Sequence, residues 1–234
     1  MSAARRATRA GRNLLIALLV GAVIIVAIVA AYIAGRSSGA PSAEPTSVPI
    51  ATATATTNAS GTADAAPTGC LGGQARNNAM LLAAQKSAPH TTYGAVEVAT
   101  AFYRWSYRFP VPTASDVQAA RAVFVPRDSA ESEASLLAGY RKNPNPAHGA
   151  VPDATPFFVT AVGGRWTAQT GREAGEQLIS IQGRYVIDGA VSATKTATGA
   201  FEMRWVDGAW RVEDLAKGDS AKVAAGGTSF TAGC

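Results

Sequence analysis

"RWVDGAWRVEDL", residues 204–215, sets two tryptophans five positions apart around Asp207-Gly208. Asp-Gly is a favoured two-residue hairpin turn, because both central positions take positive φ. The turn predicts Val206 opposite Ala209 and Trp205 opposite Trp210. Side chains alternate between faces along a strand. Phe201, Met203, Trp205, Trp210 and Val212 therefore share one face, which must be buried, and Glu202, Arg204, Arg211 and Glu213 share the solvated one. Like charges face each other across this ladder, with an opposite charge within diagonal reach of each. The tryptophan pair reads first as a core clasp, with a ligand-lining role as the alternative.

Working back from the hairpin, "QLISIQGRYVID" (177–188) alternates Ile179, Ile181, Tyr185 and Ile187 against Ser180, Gln182, Arg184 and Asp188. That period of two predicts a sheet with one covered face. "FFVTAVGGRWTAQ" (157–169) and "TGAFEMRW" (198–205) are further strands. The segment before them reads as helices. In "GAVEVATAFYRWSYRF" (94–109), Ala95, Val98, Phe102, Trp105 and Phe109 form one apolar stripe. Glu97, Thr100, Arg104 and Arg108 fall on the other side, which predicts an amphipathic helix with a solvated polar face. Thr91 or Thr92 caps its start and Pro110 stops it. A Ser115-x-x-Gln118 capping box opens a second helix that ends at Pro126. "DSAESEASLLAGYRK" (128–142) is a third, followed by the loop 143–156.

Leu14–Ala34 is a run of 21 residues without a charge. A helix of that length spans about 31 Å, matching a hydrocarbon core of about 30 Å. Arg5, Arg6, Arg9 and Arg12 precede it and Arg36 follows, so the positive-inside rule puts residues 1–13 in the cytoplasm as a basic tail and everything beyond the segment outside. The lipid bilayer is thus the first expected partner. A cleaved signal peptide is the competing reading, disfavoured by the length of the run and by Pro41 after the nearest small-x-small site. Ala27, Ala31 and Gly35 have small-xxx-small spacing, which chance explains in an Ala-rich helix; homo-oligomerisation stays open. Residues 35–69 are an Ala/Thr/Ser/Pro/Gly tether with three charges, Arg36, Glu44 and Asp64, predicted to be disordered. The folded domain is expected over 70–234.

The chain holds 21 basic and 16 acidic residues. Five of the basic ones precede residue 37, and the balance from Cys70 onward is 16 to 14, with no basic stripe, so nucleic acid is not expected as a partner. Cys70 and Cys234 are the two cysteines, one opening the folded region and one ending the chain. An extracytoplasmic address permits a disulfide between them, two unpaired thiols being the alternative. No metal-ligand spacing, phosphate loop or nucleophile elbow is present, and no metal or cofactor is expected. His90 and His148 lie in proline-flanked loops, and Asp214 sits at a strand end. None is a convincing general base, so no catalytic residue is assigned and an enzyme is not expected.

Helices followed by a curved antiparallel sheet ending in Trp205-x-Asp207-Gly208-x-Trp210-x-Val212-x-Asp214-Leu215 resemble the nuclear-transport-factor-2-like cone fold, over residues 90–217. The resemblance implies an α+β domain of helices packed on a curved sheet. An anchor, a tether and such a domain outside the membrane look like the scaffold subunits of type IV secretion and conjugation machines (TcpC-like), and secondly like the Mce-associated membrane proteins of actinobacteria. These imply a non-catalytic, single-pass envelope subunit with other envelope or secretion proteins as partners, or else a module for a lipid or small hydrophobic ligand. A cone of this kind would be lined by Tyr103, Trp166, Tyr185, Trp205 and Trp210. A packed cone would favour the scaffold, an apolar cavity without a carboxylate the receptor, and a buried Asp or His beside a Tyr the enzyme.

Overall fold

A computed structural model describes residues 64–234 apart from 127, 148 and 172. The apolar run 14–34, the basic tail, His148 and all of the tether before residue 64 lie outside the described residues. Among those described, no helix is long and apolar enough to cross a membrane.

The domain is α+β, an antiparallel sheet curled into a half-barrel with helices against it. Strands β2 (Phe157–Thr170), β3 (Glu176–Ile187), β4 (Ala190–Val206) and β5 (Ala209–Ala216) follow one another as a meander, with short β1 (Arg108–Phe109) beside β2. The 204–215 hairpin forms as its turn dictates. Asp207 and Gly208 have φ of 51° and 75°, and Val206 pairs with Ala209, Trp205 with Trp210 and Arg204 with Arg211. A second Asp-Gly turn, Asp188-Gly189, also with positive φ at both residues, joins β3 to β4. The curl comes from breaks in register. Thr160 faces Arg184 while Arg165 faces Gln182, so β2 bulges through Ala161–Gly164. Arg184 faces Thr196 while Val186 faces Val191, and Glu213 is the extra residue of a bulge between β4 and β5. Each bulge bends its strand and increases the local twist.

Inside the half-barrel runs α2 (Thr92–Ser106), capped by Thr91, whose side chain accepts from the Gly94 amide. It is preceded by α1 (Asn78–Ser87) and followed by α3 (Ala114–Ala119), a 3-10 turn (Arg121–Val123) and α4 (Ser129–Lys142). The capping box of α3 is Thr113 with Asp116, not Ser115 with Gln118. Thr113 precedes a stretch that can already turn, so the helix starts two residues earlier and stops at Ala119, passing into the tighter turn. Phe109, expected on the α2 stripe, instead begins the sheet.

The larger correction concerns the polar side of α2. Ala95, Val98, Phe102 and Trp105 are buried as expected, but so are Glu97, Thr100 and Arg104, the last two with 0% exposure. The chain entering the domain lies along this side as a strap with no regular structure over residues 67–76. Its peptide groups need partners, and the two charges supply them by sign. Glu97 accepts from the amides of Thr68, Gly69 and Leu71 and from the Thr68 hydroxyl. Arg104, two turns along the helix, donates to the carbonyls of Gly69, Gly73 and Ala75. Burial holds the Arg104 guanidinium down to about 10; the neighbouring Arg76 adds to this and Glu97 offsets part of it. Thr100 closes on its own helix through the Val96 carbonyl. Residues 67–69, assigned to the tether by composition, therefore belong to the fold: Pro67 and Gly69 are buried.

Cys70 and Cys234 form a disulfide with Cα atoms 5.4 Å apart across 164 positions. A closed loop of this size removes about 5 kcal/mol of chain entropy from the unfolded state in the simplest treatment. Hydrogen bonds extend the seam: Thr231 donates twice to Pro67, and the Cys234 carbonyl accepts from Ala161 and Thr160 on the β2 bulge. The sequence did not announce α5 (Ser220–Gly226) or β6 (Thr228–Ser229). Helix α5 packs against β2 and β3 with Val223 fully buried, and β6 pairs with β2. Ser180, expected in water on the face opposite Ile179 and Ile181, is 6% exposed.

Two substitutions test this arrangement. Glu97→Gln keeps the shape and removes the charge, and should lower stability by about 2–3 kcal/mol in chemical denaturation while speeding amide exchange at residues 68–71. Gly199→Ala places a methyl 2.9 Å from the Phe201 ring and 3.0 Å from the Tyr103 ring. Overpacking of this kind should cost about 1–3 kcal/mol.

Candidate functional site

The five aromatic side chains expected to line a cone take separate places. Tyr103 is fully buried under the sheet, its ring against Gly183 and Gly199 and its hydroxyl donating to Ala197 at 2.9 Å. Burial, then the nearby Tyr107 and Tyr185, push its phenol well above the usual range. Tyr185 is buried edge-on to Phe157, and burial raises it to about 12. Trp166 packs edge-on to Tyr93, and its buried indole N–H has no partner among the described residues. Trp205 and Trp210 meet edge to face with ring centroids 5.5 Å apart. Trp210 is buried and donates to the Pro89 carbonyl, tying the hairpin to the loop before α2. Half-buried Trp205 carries exposed His90 stacked on it at 4.2 Å and 10°. The pair is a clasp with an imidazole laid over it.

None of these five lines the cleft that opens where β5 stops short of β4. Strand β5 ends at Ala216, opposite Ala200, while β4 begins at Ala190, so the first half of β4 has no strand beyond it on that side. The chain turns away at Lys217-Gly218, and α4 closes over the gap. What remains is a cleft of about 480 Å³ between the end of α2, the middle of α4 and the free part of β4. Leu136, Tyr140 and Leu215 line it, with the buried rings of Phe102 and Phe201 beneath. Leu215 shares the inward side of the hairpin but lies past the covered part of the sheet, and is 46% exposed. Gly139 on α4 lines the same space, and a Cβ added there meets nothing within 4 Å. Tyr140 donates to the Ser106 carbonyl at 3.2 Å, and burial raises its phenol well above the usual range. Among the described residues Lys217 is the charged residue of the lining, and no carboxylate or imidazole belongs to it.

Beyond Ser135, which belongs to both, a second hollow of about 400 Å³ is lined by acids. Arg204 sits among them, bonded to Glu213 at 2.8 Å and Glu173 at 2.9 Å and also to Glu176. Bonds to Glu213 and Glu173 push its guanidinium above the usual range. The diagonal compensation expected across the hairpin is thus present for Arg204. Its cross-strand neighbour Arg211 donates to backbone carbonyls of Val206 and Ala122 instead. Among the described residues no group of His, Cys, Asp or Glu is arranged to hold a metal ion.

Sequence reasoning missed the cleft because three distant segments build it. The local signals were small residues, Ser135 and Gly139, on one helix; Leu215 faces inward only because the bulge at Glu213 shifts the alternation of β5. No protein-family model matches the chain, and no curated protein or solved structure matches it. Arg204→Gln should leave Glu173, Glu176 and Glu213 facing one another and destabilise the domain by about 1–2 kcal/mol, less at high salt. Thermal melts at two ionic strengths measure this.

Proposed function

We propose that the chain is a non-catalytic, membrane-anchored subunit of a bacterial envelope assembly, most simply of a conjugation or type IV secretion-like machine, with its α+β domain held outside the cell membrane. The observation that carries this reading is the Cys70–Cys234 disulfide at the point where the chain enters the domain. Structural disulfides belong to oxidising compartments, and the arginine-flanked apolar run at 14–34 accounts for delivery to one. Strap and disulfide join the tether side of the chain to the sheet at one seam, which suits a domain held on a leash. Confinement to a membrane raises the effective concentration of partners anchored nearby. Among the described residues the cleft lining holds no carboxylate or imidazole, which supports binding over catalysis.

The cleft favours a second reading, in which the domain receives a lipid or small hydrophobic ligand, as an Mce-associated module would. Its volume lies within the range of small-molecule sites.

Deletion of the gene in its host separates the two. Loss of plasmid transfer in a mating assay, restored by the wild-type chain, is expected; unchanged transfer with impaired lipid uptake would give the second reading precedence. Protease added to spheroplasts should degrade the region beyond residue 36, and non-reducing mass spectrometry of the exported protein should show Cys70 linked to Cys234. Two free thiols would remove the basis for placing the domain outside.

A further inference from the structure

We infer that the cleft between α4 and the free part of β4 takes an amphiphile with a single apolar tail and an anionic head, the head lying at Lys217. This rests on the reading of the cleft as a ligand site. An exposed leucine alone means little. Here Leu215 lines a hollow together with Leu136 and Tyr140, and Phe102 and Phe201 lie buried behind them with ring centroids 5.5 Å apart. Leu136, Tyr140 and Leu215 give a tail its apolar contacts. Charge then decides orientation. Among the described residues Lys217 is the cation of the lining, whereas the neighbouring hollow past Ser135 carries Glu131, Glu202 and Asp214 in excess over its one cation, Arg204. The potential runs from positive at Lys217 to negative beyond Ser135, so an anionic head is drawn to one end and excluded from the other. A cationic head would sit in the reverse direction.

The test uses the full chain in nanodiscs of neutral phospholipid, exposed to three photoreactive medium-chain probes: a fatty acid, its alcohol and its amine. Labelled peptides are mapped by mass spectrometry. The fatty acid is expected to label α4 and the 198–217 segments more strongly than the other two. Lys217→Glu should cut its labelling by about fivefold or more and leave the alcohol within about twofold. Gly139→Phe, which directs a ring into open space on a helix, should abolish labelling by every probe with the disulfide still formed. Equal labelling by acid and alcohol, or preference for the amine, would overturn the charge assignment while leaving an apolar-ligand site standing. No labelling of the cleft by any probe would overturn both, with the assembly reading still answering to the mating assay.

Discussion

The domain depends on one buried arrangement, a carboxylate and a guanidinium two turns apart on the same side of α2. The strap at 67–76 has no strand or helix to satisfy its peptide groups, and burying them unpaired would be prohibitive. Glu97 collects the amides and Arg104 the carbonyls. Each charge bonds the backbone of the strap rather than the other charge, and the buried Arg104 Nε keeps no partner among the described residues. With the strap in place α2 is covered on all sides, and the half-barrel has a core rather than an open trough.

The rest of the seam follows from that placement. Once the strap brings Cys70 to the β2 bulge, Cys234 can meet it there, and the last residues of the chain complete the cover through Thr231, Phe230 and the Cys234 carbonyl. The bulge at Ala161–Gly164 curls the sheet and also frees the backbone that receives the C-terminus. Curvature and closure share a cause.

Burial and openness divide the aromatic residues between structure and site. Tyr103, Tyr185, Trp166 and Trp210 went to the core because each found an aromatic neighbour, a glycine platform or a carbonyl. The open space formed where β5 stops short of the length of β4, a mismatch no single segment encodes. Its lining is therefore set by where the chain leaves the sheet, at Lys217-Gly218, as much as by residue type.

Taken alone, the sequence determined the local decisions: the Asp207-Gly208 turn and its register, the two faces of the hairpin, a cap at Thr91 or Thr92, the α2 stripe as far as Trp105 and the candidate cysteine pair. Each of these rests on geometry spanning a few residues or on a simple count. Tertiary structure decided which polar residues are dry, where the strap lies, that α5 packs on β2 and β3, and where the cleft opens. Periodicity distinguishes the two sides of an element but cannot say what lies against the polar one; that is set by chain segments far away in sequence, whose backbone groups must find partners.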